Sequence, residues 1–109
     1  MANTFKLKTK ANVGVTTVGI YTAPAATTTV VIGITMANTS GSGVNVGVGI
    51  TRAGTTEDVK LLKNAPIPQG SSLEFMAGNK IVLEATDTVT VDSETNNSID
   101  AALPIMEIT

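Results

Sequence analysis

The side chains that ordinarily carry enzyme chemistry are few in this chain and poorly assorted. There is no His and no Cys, so neither an imidazole-activated Ser nor a thiolate nucleophile can be assembled. Thiolate and imidazole metal sites go with them. Ser with Lys remains a formal nucleophile–base pair, but no Ser-x-x-Lys spacing occurs. Gly47-Val48-Gly49 opens like a dinucleotide fingerprint. It lies inside an alternating apolar run with no helix pattern behind it, so no helix N-terminus follows to meet a pyrophosphate.

Carboxylates are the one reactive class left. Glu74, Glu84, Asp87 and Asp92 could pair in space as the acid and base of a glycosidase. Nine acids are ordinary for a domain of this length, and a sugar site wants aromatic platforms. The rings here are Phe5, Tyr21 and Phe75, with no Trp, and only Tyr21 is a candidate platform. Asp92-Ser93-Glu94-Thr95-Asn96-Asn97 sets oxygen ligands at alternate positions, as a calcium loop does. Its sixth position is Asn97 instead of Gly and its twelfth is Leu103 instead of Glu. A solvated hairpin tip is the better reading. No cofactor and no catalytic residue is expected.

The elements around these residues are strands. Apolar residues recur with a period of two. The clearest run places Val44, Val46, Val48 and Ile50 on one face and Asn45, Gly47, Gly49 and Thr51 on the other. Val30, Ile32, Ile34 and Met36 read as one continuous strand, apolar enough on its second face to be covered on both sides. Shorter runs hold Phe5 and Leu7, Leu73 and Phe75, Ile81 and Leu83, and Val89 and Val91. The last run holds Ile99, Ala101 and Leu103 and is expected to change phase at Pro104, before Met106 and Ile108. A proline there points to an edge or a bulge. A slip between Val15 and Val18 suggests a break at Thr16-Thr17. Val59 to Lys63 reads as strand because Asn64-Ala65-Pro66 follows.

Turn chemistry separates the runs: Thr39 to Gly43, Ala53 to Thr56, Asn64 to Gly70, Ala77-Gly78-Asn79, Glu84 to Asp87, and the polar tip 93–98. Eight or nine short strands in 109 residues predict one all-β domain spanning 1–109, a two-sheet antiparallel β-sandwich. A jelly roll is preferred. An immunoglobulin-like Greek key is the runner-up, and it lacks its core Trp and Cys pair.

Two sequence features suggest contact surfaces. Lys6, Lys8 and Lys10 share one face of the first run. They read as an edge strand guarded by charge, and also as a basic strip for an acidic partner. Gly47 and Gly49, beside Asn45, weaken their strand and suggest close approach by another backbone, or coverage by long neighbouring side chains. Pro66 and Pro68 stiffen an exposed loop. The net charge of −2 carries no basic footprint for nucleic acid. No segment has the apolar length of a membrane-spanning helix, and the first residues lack the pattern of a secretory signal. The Asn-x-Ser matches at Asn38 and Asn96 are given no glycosylation meaning.

With the strands placed, a resemblance emerges. It rests on Tyr21-Thr22-Ala23-Pro24-Ala25-Ala26-Thr27-Thr28-Thr29-Val30-Val31 and on Asn38-Thr39-Ser40-Gly41-Ser42. Pro66-Ile67-Pro68-Gln69-Gly70-Ser71-Ser72, Lys80 to Val89 and the closing Met106-Glu107-Ile108-Thr109 continue it. In that order, over about residues 13–109, these tracts resemble small virion proteins of tailed bacteriophages, marine and cyanobacterial ones especially. One departure is Thr86, where such proteins often carry Gly.

The resemblance implies a β-sandwich without catalytic residues that decorates or cements the outer surface of a phage head. The partner would be the major capsid protein, and the protein would be made in the bacterial cytoplasm and carried on the virion. Homotrimers at local three-fold positions and single copies at capsomer centres both fit. A tail, baseplate or fibre component is the alternative, and a carbohydrate-binding adhesin module a further one. The resemblance carries over no functional residue motif. The contact candidates therefore rest on the residues themselves: Lys6, Lys8, Lys10, Asn45, Gly47, Gly49, Pro66 and Pro68.

Overall fold

A computed structural model describes residues 3–54, 57–74, 76 and 80–109. Within them the chain forms ten strands: β1 (Asn3–Val13), β2 (Val18–Thr22), β3 (Thr28–Val31), β4 (Thr35–Asn38), β5 (Val44–Arg52), β6 (Glu57–Ile67), β7 (Ser72–Glu74), β8 (Ile81–Leu83), β9 (Thr88–Ser93) and β10 (Ile99–Ile108). Phe75, the expected turn at Ala77-Gly78-Asn79, and Thr55-Thr56 lie outside the described residues.

Every pairing is antiparallel. In the six-stranded sheet β10 has β1 along one edge and β3 and β4, end to end, along the other. β8 and β7 flank β3 and β4 in turn. The four-stranded sheet runs β2-β9-β5-β6. With β3–β4 and β7–β8 each counted as one strand position, eight positions remain. Numbered in chain order they lie 1-8-3-6 in one sheet and 2-7-4-5 in the other, and this alternation between sheets is the jelly-roll order. The expected eight or nine strands correspond to these positions.

The core lies between the sheets. Val44, Val46, Val48 and Ile50 all point into it, as their alternation predicts. Opposite them stand Ile34, Met36, Leu83, Ile99, Leu103 and Ile105, each 0–1% exposed.

Two expectations need correction, and one residue explains both. β10 keeps a single phase past Pro104: Ile99, Ala101, Leu103, Ile105 and Glu107 are all buried, and Met106 and Ile108 fall on the outer face. Nor is 28–38 one continuous strand. Val31 pairs with Ile105 and Thr35 with Ala102, so three residues, Ile32-Gly33-Ile34, stand opposite two, Leu103-Pro104. This is a bulge. Within an antiparallel strand the N–H and C=O of one residue face the same neighbour. The Pro104 carbonyl accepts from Ile32 N–H at 2.9 Å, so the donor that proline lacks would also have pointed at this gap. Proline thus sits in a central strand, and its partner carries the bulge. The bulge shifts the partner's phase: Thr29 and Val31 point inward before it, and Ile34 and Met36 after it. Val30, Thr35 and Ala37 lie half-buried on the outer face, which no second layer of the described residues covers.

The 84–87 turn is tightly tied. Asp87 is buried, and its carboxylate accepts from Glu84 N–H and from Arg52 Nε. Arg52 also reaches Glu84 at 2.6 Å. Ala23 exchanges backbone hydrogen bonds with Thr86 and Asp87. Thr86 has φ +69°, a conformation that costs a β-branched residue roughly 1–2 kcal/mol. Position 86 is one where Gly is relaxed. Thr86→Gly should therefore raise stability by about 0.5–1 kcal/mol, after the greater unfolded-state entropy of Gly is deducted. Urea denaturation measures this, and a destabilised variant would contradict the strain.

Candidate functional site

The molecule presents two outer sheet faces of opposite character. On the four-stranded sheet the outward positions are Thr51, Thr88, Thr90, Asp92 and Lys60, with Gly47 and Gly49 among them. Thr17 donates to the Asp92 carboxylate at 3.0 Å, and Lys60 Nζ lies 3.7 Å from it. These groups cover the glycines, both of which are buried. A Cβ on Gly47 would stand 2.6 Å from Asp92 Oδ1, and one on Gly49 would stand 2.9 Å from the Val59 carbonyl. Here the close approach is intramolecular, from β6 and β9, and the face is polar.

The six-stranded sheet is the reverse. Phe5 pairs with Met106, Met106 with Val30, and Val30 with Val82. Residues directly opposite share a face, so these four form one apolar row straight across the outside of the sheet. Leu7, paired with Pro104, stands beside it. Phe5 is 71% exposed, Leu7 63% and Val82 60%. Thr9, Ala11, Ala37 and Ala102 extend the face as a shallow groove. Asp100 and Glu74 mark its far end, the latter accepting from the Thr35 hydroxyl. Sequence reasoning missed this surface. Its residues are ordinary strand hydrophobics, and only strand order brings them into a row.

The same registration turns the lysine strip inward. Lys6, Lys8 and Lys10 pair with Ile105, Leu103 and Ala101, all core-facing. β1 thus points its charges toward the edge of the core and its apolar side chains toward solvent. Inward charge is a known guard on edge strands. Lys6 Nζ meets Glu107 Oε1 at 2.9 Å, and Lys8 Nζ lies 5.9 Å from the Tyr21 ring centroid.

Glu107 anchors a buried polar cluster. The Tyr21 hydroxyl donates to Glu107 Oε2 at 2.6 Å. Its only proton is used there, so the Thr29 hydroxyl, 2.8 Å away, donates to Tyr21. All three residues are buried, and no buried side-chain polar atom among the described residues lacks a partner. This satisfaction lets an acid occupy an inward position. The bond from Tyr21, and then that from Lys6, hold the Glu107 carboxyl below its usual range. Burial, with the hydrogen bond to Glu107, pushes the Tyr21 phenol up to about 12. Held inside, Tyr21 offers no open platform to a sugar.

A lowered folded pKa means that the unfolded chain binds the proton first as pH falls. The contribution of Glu107 is therefore full above its ordinary value of 4.5 and is lost as pH drops through the lower folded value. Glu107→Gln should lower the urea midpoint at pH 7 and flatten its decline between pH 5 and 3. An unchanged pH profile would show that the pair does not operate. At the alkaline end the raised Tyr21 value acts the other way. Its contribution holds below pH 10 and is lost as pH rises toward 12.

The remaining sites hold the fold. Glu84 and Asp87 are engaged by Arg52. In the 93–98 tip, Asn96 Oδ1 accepts from Val15 N–H, and Ser93 bonds Ser98. No group of three or more acidic side chains converges on a metal-sized site among the described residues. Asn45 pairs with Pro66, and its N–H donates to Glu94. The expected loop from Asn64 to Gly70 begins later: Asn64 to Ile67 belong to β6 and Pro66 is paired on this edge strand, where its missing N–H is tolerated. Pro66 and Pro68 are exposed, flanking the buried Ile67, whose carbonyl accepts from Asn38 Nδ2. Pro66 and Pro68 lie with Asn45 in one region, apart from the lysines, which the structure places on β1.

No family model matches the chain, and no curated protein matches it. Solved structures do. A protein of Bacillus endospore appendages, described as disulfide-linked pili, aligns with TM-score 0.57 at 15% identity, covering 99% of this chain and 87% of that one. A chain from the structure of infectious bursal disease virus, Gx strain, aligns with TM-score 0.58 at 14% identity over 98% of this chain; this chain spans about a third of it, 32%. The Drosophila NLP core, described in terms of pentamer formation and histone binding, aligns with TM-score 0.52 at 10% identity over 97% of this chain and 99% of that one. At these identities the likeness is one of fold: a jelly-roll-like β-sandwich.

Proposed function

We propose that this chain is a non-enzymatic structural protein of a virion, and specifically a decoration or cement protein on the outer surface of a tailed-phage head. One observation carries the reading: a sandwich with one polar outer face carries a continuous apolar row across the other. Such a domain gains by being covered on that side. The likeness of its fold to a viral chain, and the ordered tracts that resemble those of phage virion proteins, support the same reading.

The work would be done by burial. About 400 Å² of apolar surface removed from water is worth roughly 10 kcal/mol. Association costs a comparable sum, 4–15 kcal/mol by most estimates. One copy would bind modestly, and many copies on a repeating surface would hold by avidity. The major capsid protein is the expected repeating surface, and the virion the place of action. The end of β6 at Pro66 and the following Pro68, with Asn45, form a second proposed contact.

Counting copies per purified particle tests this. Hundreds per particle are expected for a head protein. A few to a few tens would move the protein to the tail, baseplate or fibre. Absence from particles would sink the proposal.

A further inference from the structure

We propose that the outer face of the six-stranded sheet seats the same face of a second copy of this chain, the two sheets stacked with their strands antiparallel. The inference rests on the reading of that face as a contact surface and gives it a different occupant: with a second copy seated there, the head would be met through the second proposed contact, Asn45 with Pro66 and Pro68.

Self-complementarity is the first argument. Phe5, Met106, Val30 and Val82 make a row perpendicular to the strands. A two-fold axis lying along this row, between the sheets, sets each of the four over its own twin, about 10 Å away in backbone terms. Charge selects the direction. Asp100 and Glu74 lie at one end of the face. Face-to-face parallel stacking would gather the acids of both copies at the same end, whereas antiparallel stacking carries each copy's pair to opposite ends.

Area is the second argument. β10 has ten residues and the sheet is four strand positions wide. That is roughly 33 by 19 Å, or on the order of 600 Å² in projection and more as accessible surface. A standard interface takes about 800 Å² per partner.

The competing arrangements are weaker. Symmetric edge pairing of two β1 strands would oppose Lys6, Lys8 and Lys10 to one another, and like charges directly opposite repel. The polar four-stranded face does not invite a further layer, so the pair closes instead of growing into a stack.

Light scattering on the wild type should give twice the 11.1 kDa chain mass. Phe5→Asp with Leu7→Asp should give the single mass and still unfold cooperatively, because both residues are exposed in the free domain, at a melting temperature that, unlike the wild type's, does not rise with protein concentration. The chain has no Cys, so Met106→Cys should be joined to its twin by a bismaleimide of about 10 Å reach, matching the inter-sheet spacing. Thr51→Cys, on the polar face, should not.

A wild type that stays monomeric at about 100 µM, some hundredfold above the micromolar Kd of a weak complex, overturns the pairing. So does equal cross-linking at both positions. A monomer that still loads onto phage heads, and loses loading with the Phe5/Leu7 change, overturns the pairing and leaves the virion reading standing. A dimer found on no particle overturns the virion reading and leaves the pairing.

Discussion

Gly49→Val should destabilise the free domain by about 2–3 kcal/mol, the upper range for overpacking. In a domain of this size that is a fall in melting temperature of roughly 10–20 °C. The first atom of the new side chain would meet the Val59 carbonyl at 2.9 Å and Thr90 Oγ1 at 3.2 Å. The carbonyl belongs to the backbone of β6 and cannot swing aside. It lies where the β5–β6 register shifts, between Val48 and Gly49. Valine repays part of the cost, about 0.5–1 kcal/mol, by reducing the entropy of the unfolded chain. Gly47→Val should cost less, since its nearest obstacle is the Asp92 carboxylate. That group can move, at the expense of its bond from Thr17 and its pairing with Lys60. A Gly49→Val variant that melts like the wild type would remove the steric account. It would return Gly49 to the role of a surface kept bare for another molecule.

Leu103→Ala should cost about 3 kcal/mol, within the 2–5 kcal/mol seen for buried Leu-to-Ala changes. Leu103 is 0% exposed on the inner face of β10, beneath the bulge. That central strand has partners on both sides, so collapse around the lost methyl groups is restricted. Leu7→Ala, one strand away, should stay within about 0.5 kcal/mol in the free domain, because Leu7 points outward and is 63% exposed. Thermal melts of the two variants give the comparison. A Leu7 variant as damaged as the Leu103 variant would mean that β1 is registered the other way round.

That pair of leucines also marks how far the sequence could be read. Alternation made both of them strand residues, and it divided each strand into two faces. It could not say which face turns inward, because that depends on the neighbouring strand. For β5 one face was wholly apolar and the choice was plain. For β1 the apolar face of Phe5 and Leu7 would have been taken as the inner one, and pairing with β10 turned it out. Jelly-roll layout was favoured from strand number and spacing. The actual order depends on partners far apart in the chain. Glu107 escaped notice as a core-facing residue because its partners Lys6 and Tyr21 come from β1 and β2, and Thr29, which bonds Tyr21, from β3. The proline was read as an edge or a bulge; it lies in a central strand, and the bulge belongs to the strand it faces. The apolar row, drawn from β1, β10, β3 and β8, has no local signature at all.

The pairing of Asn3 with Ile108 has a consequence for how the molecule is made. Among the described residues β1 pairs with β10 alone, and β10 is synthesised after the other nine strands. Until β10 emerges, β1 has no ladder to join, and the place between β1 and β3–β4 stands open. The six-stranded sheet therefore closes after translation of its final segment, through a contact that spans almost the whole described chain, and such long-range closures are slow. Through that interval Phe5 and Leu7 ride on an unpaired strand, and its lysines are then the groups that keep nascent copies apart.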